Sequence, residues 1–163
     1  MLATGDSSEA RFTFNVEGPT PRILGAADAS GDGRPEAFVV VKQGASTVNV
    51  GLFRLQRGTL RRVVVSGKGT EARDGFQLGG GTTHGDGIEC RDVDGDGRDE
   101  LVTLHVRGFD PEQPLGWNEE IYRWRDDGLA FWRQGESGTI SMRGDARLKR
   151  FYQLRCGALS VSV

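Results

Sequence analysis

Two short acidic segments of this chain have the residue types and the spacing to hold a hard cation. The first is Asp28-Ala29-Ser30-Gly31-Asp32-Gly33-Arg34-Pro35-Glu36, and the second is Asp92-Val93-Asp94-Gly95-Asp96-Gly97-Arg98-Asp99-Glu100. In each, oxygen-bearing side chains stand at positions 1, 3 and 5, glycine at position 6 permits a sharp reversal, and a carboxylate at position 9 closes the ring. Calcium takes about six to eight oxygen ligands in flexible geometry, whereas carboxylates crowded together without a cation repel one another. The repetition of the same spacing argues for two Ca2+ sites.

The last carboxylate decides the kind of loop. An EF-hand requires Glu at position 12, and here that position holds Val39 and Thr103, so an EF-hand is excluded. Ala37-Phe38-Val39-Val40-Val41 follows the first loop and Leu101-Val102-Thr103-Leu104-His105-Val106 the second. Both runs are rich in β-branched residues and lack a 3.6-residue period, so the loops join strands rather than helices.

The pattern D-x-[DS]-x-D-G-x-x-E ahead of a β-run resembles the FG-GAP or VCBS repeat, the calcium-loop unit of integrin α-chain propellers and of many secreted bacterial proteins. The resemblance implies side-chain ligands at positions 1, 3, 5 and 9 and a backbone carbonyl ligand at position 7. The implied sets are Asp28, Ser30, Asp32, Arg34 (carbonyl) and Glu36, then Asp92, Asp94, Asp96, Arg98 (carbonyl) and Glu100. Ser30 departs from the usual Asp or Asn. With three side-chain carboxylates against four, the first site is expected to be the weaker.

The repeat extends past the loops. Asp28 and Asp92 are 64 residues apart (92 − 28), and downstream Leu52-Phe53-Arg54-Leu55 matches Ile121-Tyr122-Arg123-Trp124. Each of these segments runs into a polar turn, Gln56-Arg57-Gly58 or Asp126-Asp127-Gly128, and a strand returns over Leu60 to Val65 or Leu129 to Arg133. Each unit thus reads strand, calcium loop, strand, strand, turn, strand.

The chain is expected to be all-β: two four-stranded antiparallel blade-like repeats, about 22–80 and 86–163, in a single domain over 11–163 behind a spacer over 1–10. Its 25 glycines in 163 residues and the lack of a convincing amphipathic pattern agree. A closed propeller typically takes roughly four or more blades, so the repeats are expected to pack as an incomplete propeller or a small sandwich. Arg11 to Val16 alternates as a completing strand, and Phe151 to Val163 is a second candidate. Asp145 to Leu154 is the one helical possibility. Its Arg147, Lys149 and Arg150 read as a solvated face, because a net charge of −2 and the absence of interleaved aromatic residues argue against nucleic acid.

Only Cys90 and Cys156 are present, without C-x-x-C spacing. That excludes the usual zinc and thioredoxin-like patterns and leaves a disulfide or two free thiols. A bridge would tie the C-terminal strand to the root of the second loop and fit an oxidising compartment. Loops of this kind with modest affinity fill outside the cell. The expected location is therefore extracellular or the cell envelope, with a signal peptide removed and no direct membrane insertion.

Other chemistry is more open. Gly79 to Gly87 could be a tight inter-blade turn, or His84, Asp86 and Glu89 could form an acid–base or metal cluster; His105 reads as a half-exposed strand residue. Trp117, Trp124, Trp132, Tyr122 and Phe131 crowd the second repeat. They read as core, with Tyr122 and Trp124 on one face and Ile121 on the other, and Trp117 in the Gly108–Asn118 loop is expected to face solvent. The leading expectation is a calcium-binding repeat module, not an enzyme, with structural metals and an unidentified protein or glycan partner. A carbohydrate-binding module using exposed aromatics and a hydrolase near His84 and Asp86 are the alternatives.

Overall fold

A computed structural model describes residues 21–67, 75–108, 113–126, 128–141 and 145–163. The expected strand over Arg11 to Val16 and the spacer before it lie outside these residues. Twelve strands and one short 3₁₀ helix make up the described chain, so it is an all-β protein.

The first repeat contributes β1 (Arg22–Ala27), β2 (Glu36–Gln43), β3 (Thr47–Gln56) and β4 (Thr59–Arg62), each antiparallel to the next. The β3–β4 hairpin turns on Arg57 and Gly58, whose φ angles of 50° and 77° give the doubly left-handed backbone of a two-residue hairpin loop. The second repeat contributes β7 (His84–Arg91), β8 (Glu100–Arg107), β9 (Leu115–Arg125) and β10 (Gly128–Ile140), again antiparallel in succession. Strand–loop–strand–strand–turn–strand is thus the order in both.

The two units do not stand as separate blades. Between them run β5 (Val64–Ser66) and β6 (Phe76–Gly80); β6 pairs with β3 on one side and β7 on the other, and β5 adds in parallel to β10. The 3₁₀ helix Ala146–Tyr152 leads to β11 (Gln153–Cys156), parallel to β7, and β12 (Leu159–Ser162) folds back on β11. The result is one mixed twelve-stranded sheet whose main path runs from β1 through β10 to β5.

Strands β2 and β8 are buried on both faces, which explains their unbroken apolar runs. Phe38 and Val40 join Val50, Leu52, Ile88, Leu101, Tyr122 and Leu129 in one cluster that draws on both repeats. The opposite face of β2 packs Val39 and Val41 with Phe53, while that of β8 packs Val102, Leu104 and Val106 with Ile121 and Phe151. The expected division of β9 holds: Tyr122 faces the shared cluster and Ile121 the other.

The helical possibility at 145–154 is a 3₁₀ segment capped by the Asp145 side chain, which accepts from the Arg147 N–H. It lies directly on β7. A Cβ at Gly87 would stand 2.1 Å from the Arg150 carbonyl oxygen, and one at Gly85 2.7 Å from the Tyr152 ring. The glycines of this strand therefore permit close approach of another backbone.

Candidate metal centre

Each acidic loop connects two antiparallel strands, β1 to β2 and β7 to β8, and the two are built by the same bonds. Position 1 organises the turn. Asp28 Oδ2 accepts from the Gly33 N–H at 2.8 Å and Oδ1 from the Asp32 N–H at 3.1 Å. Asp92 does the same with the Gly97 N–H at 2.9 Å and the Asp96 N–H at 3.2 Å. Position 5 follows suit, with Asp32 Oδ1 and Asp96 Oδ1 each 2.9 Å from the N–H two residues on. Position 9 closes the loop from below: Glu36 Oε2 accepts from the Ala29 N–H and Glu100 Oε2 from the Val93 N–H, both at 2.9 Å. Such turns over short acidic side chains are favoured locally, and they hold the carboxylates in place from the backbone side.

Glu36 and Glu100 are buried, at 0% and 4% exposure. Burial pushes the carboxyl of each above the ordinary Glu range, against the hydrogen bonds that favour its charged form. In the second loop, carboxylate oxygens of Asp92, Asp94 and Glu100 lie within 4.8 Å of one another and could hold a metal ion. The donor set is all oxygen, which suits a hard cation. In the first loop Ser30 replaces an aspartate, and its hydroxyl is 3.4 Å from Asp28 Oδ1.

Each loop also has an arginine from the third strand of its repeat. Arg54 Nε donates to Glu36 Oε1 at 2.8 Å, and its Nη2 lies 3.8 Å from Asp32 Oδ2. Arg123 pairs with Asp94 and, through Nε at 3.3 Å, with Glu100 Oε1. Each guanidinium stacks on an indole, Arg54 on Trp124 at 4.6 Å and Arg123 on Trp132 at 3.3 Å from the ring centroids. The expected ligand sets omit these arginines. Their signal was present in the repeat itself, as a matching charge in two otherwise apolar strand segments.

The loops meet. A Cβ at Gly31 would come within 3.1 Å of the Asp99 nitrogen, and Trp124 Nε1 donates to the Ala29 carbonyl at 2.8 Å. Burial, with the charges of Asp92 and Asp28, pushes Asp99 upward. A cleft of about 440 Å³ opens between the loops, with Asp32, Arg54, Asp96, Glu100 and Arg123 on its walls.

The glycine-rich segment forms a tight β6–β7 connection, closed by the Gly81 N–H donating to the His84 carbonyl at 2.9 Å. His84, Asp86 and Glu89 do not converge on one another. Asp86 faces His105 across the β7–β8 ladder: His105 Nδ1 is 2.7 Å from Asp86 Oδ1, and Nε2 is 3.0 Å from Thr103 Oγ1. A ring that donates through Nδ1 to the carboxylate and accepts from the hydroxyl at Nε2 fits both bonds, while the buried Asp86 Oδ2 is left without a hydrogen-bond partner among the described residues. Arg107 Nη2 adds a second contact to Asp86 Oδ1 at 2.6 Å. Burial alone would raise the Asp86 carboxyl, but hydrogen bonds from His105 and Arg107 outweigh it and hold it below the ordinary range. Thr103 is 3% exposed, so its hydroxyl serves the ring. Glu89 instead pairs with Arg150 at 2.9 Å.

Trp117 does not face solvent as expected. It lies in β9, packs edge-on against Phe151 at 6.0 Å and joins the second repeat's outer cluster. Trp124 and Trp132 are likewise partly buried against clusters.

The cysteines are joined: Cys90 in β7 and Cys156 in β11 form a disulfide with Cα atoms 4.6 Å apart. Among the described residues no helix is long and apolar enough to cross a membrane. No protein-family model, curated protein or solved structure matches the chain.

Proposed function

We propose that this chain is a calcium-binding β-repeat module of the FG-GAP/VCBS kind, whose two cations are structural and whose surface engages a partner outside the cell or in its envelope. The observation that carries the reading is the duplicated hydrogen-bond set of the two loops. Chance acidic turns have no reason to reproduce the same bonds at positions 1, 5 and 9 alike. In this reading the side chains of Asp28, Ser30, Asp32 and Glu36 and of Asp92, Asp94, Asp96 and Glu100 are ligands, with the carbonyls of Arg34 and Arg98. Calcium would supply the positive charge that Arg54 and Arg123 provide at the same oxygens.

The two repeats are read as a small sandwich derived from blade-like units, supported by the apolar cluster to which both contribute. The disulfide supports an oxidising compartment. Calorimetric titration with calcium tests the core of the proposal. Two unequal steps are expected, the tighter abolished by Glu100→Gln and the weaker by Glu36→Gln. Absence of binding at millimolar calcium, or loss of the tighter step in Glu36→Gln, would overturn it.

A further inference from the structure

We infer that the apolar outer face of β2 and β3 is the docking surface of the chain's own residues 11–16, with Phe12, Phe14 and Val16 set against Val39, Val41 and Phe53. Residues 11–16 precede β1 and lie outside the described residues. The inference does not depend on either cation.

Val39, Val41 and Phe53 are 8%, 9% and 2% exposed. Yet the cluster they form comes from one layer only. Its members, and Ala37 and Leu60 packed at its margin, all stand on β2, β3 and β4, which are neighbours in the sheet. A sheet face left to water keeps its side chains partly solvated, so a second layer covers this one. In the second repeat that layer is seen: Leu148, Phe151 and Tyr152 of the 3₁₀ helix close the cluster of Val102, Leu104 and Val106. In the first repeat no element among the described residues joins the cluster from above, and Phe53 has a partner beyond those named here. The cover is also narrow. Ile23 is the register partner of Val39 and shares its face, but it is 72% exposed. Leu55, two residues past Phe53 on the same side of β3, is half exposed. A short extended segment crossing β2 and β3 fits those bounds.

Arg11-Phe12-Thr13-Phe14-Asn15-Val16 is such a segment, since its alternation puts three apolar side chains on one side and polar ones on the other. The other stretches outside the described residues do not match. Residues 68–74 contain alanine as their one apolar side chain, while 109–112 and 142–144 offer a single Phe109 or Met142 and join elements of the second repeat. The linking residues 17–21 span up to about 17 Å when extended. β3 lies about 10 Å from β1 across the sheet and a covering layer stands about 10 Å above it, a path of about 14 Å. The segment can therefore reach.

Two double-mutant cycles in the whole chain, read by denaturant unfolding, test the placement. The joint replacement Phe12→Ala/Phe14→Ala is combined with Val41→Ala in one cycle, and in the other with Val106→Ala in the second repeat's outer cluster. The joint replacement is expected to destabilise the chain. Its cycle with Val41→Ala should be non-additive by about fivefold or more in the unfolding equilibrium constant, and its cycle with Val106→Ala should add within about twofold, as distant sites do. Val39→Ala supplies a further cycle should Val41→Ala fail to fold. A Phe12→Ala/Phe14→Ala chain as stable as the parent, additivity with Val41→Ala and Val39→Ala alike, or equal non-additivity with Val106→Ala would overturn the inference.

Discussion

Trp124 donates its indole N–H to the carbonyl of Ala29 at 2.8 Å, while the residue before it, Arg123, pairs with the carboxylates of the other loop. Consecutive residues of one strand therefore hold both acidic loops. A change in either loop has a direct route to the other, through β9 and through the Gly31–Asp99 contact. Trp124→Phe keeps the ring and removes the bond, leaving a buried carbonyl short of a donor. It is expected to cost about 1–2 kcal/mol in denaturant unfolding and to weaken cation binding at the first loop more than at the second. Equal weakening of both steps would count against a specific route.

Arg123 competes with any cation for Asp94 and Glu100. Replacing it with Gln removes a positive charge next to the cage, so the second loop should bind calcium about tenfold more tightly, within the range for charges a few ångströms apart near a surface. Without calcium the same variant should melt lower than the parent, since the carboxylates then repel without compensation. Both effects are read from one pair of thermal melts, with chelator and with excess calcium. A variant destabilised equally under both conditions would show that Arg123 serves packing against Trp132 rather than charge balance.

Much of this arrangement was legible because it is local. Aspartate at positions 1 and 5 bonds backbone groups within five residues, so spacing alone prescribes the turn, and the β-branched runs on either side prescribe strands. For Cys90 and Cys156 the sequence left a disulfide or two free thiols, and the structure joins them. What sequence could not supply was the long-range pairing. Nothing in Phe76–Gly80 states that it bridges β3 to β7, which merges two expected blades into one sheet. Trp117 was misplaced for the same reason: a strand beginning at Leu115 and a 3₁₀ helix offering Phe151 are tertiary facts. Asp86 was read as a possible partner of His84 and Glu89, but its partner His105 sits opposite in the β8 register rather than beside it in the chain.

The disulfide closes a loop with a sequence separation of 66 residues, worth about 4 kcal/mol in the chain-entropy account. Cys90 is followed at once by Arg91, which ends β7 and salt-bridges Glu119 at 2.5 Å, and then by Asp92 of the second loop. Reduction, or the Cys90→Ser and Cys156→Ser pair, should lower the melting temperature and loosen the second cation site more than the first. Calcium titration of the double variant at a temperature where it remains folded provides the measurement. Loss confined to the first site would contradict the placement of the bridge at the root of the second loop.

The buried Asp86 gives a pH dependence whose sign is fixed by its surroundings. Hydrogen bonds from His105 and Arg107 outweigh burial and hold its carboxyl below the usual range. The folded state therefore binds the Asp86 proton less readily than the unfolded chain. Its contribution is fully present above the unfolded value of about 3.9 and is lost as pH falls through the lower folded value. Asp86→Asn should thus destabilise the protein by about 2 kcal/mol near neutrality, from the loss of charge-assisted bonds at a site where Arg107 can partly return to water. Below about pH 3 the difference between parent and variant should shrink. Denaturant unfolding of both proteins from pH 7 downward measures it, and a gap that stayed constant into acid would mean that the Asp86 charge does not contribute to holding β7 against β8.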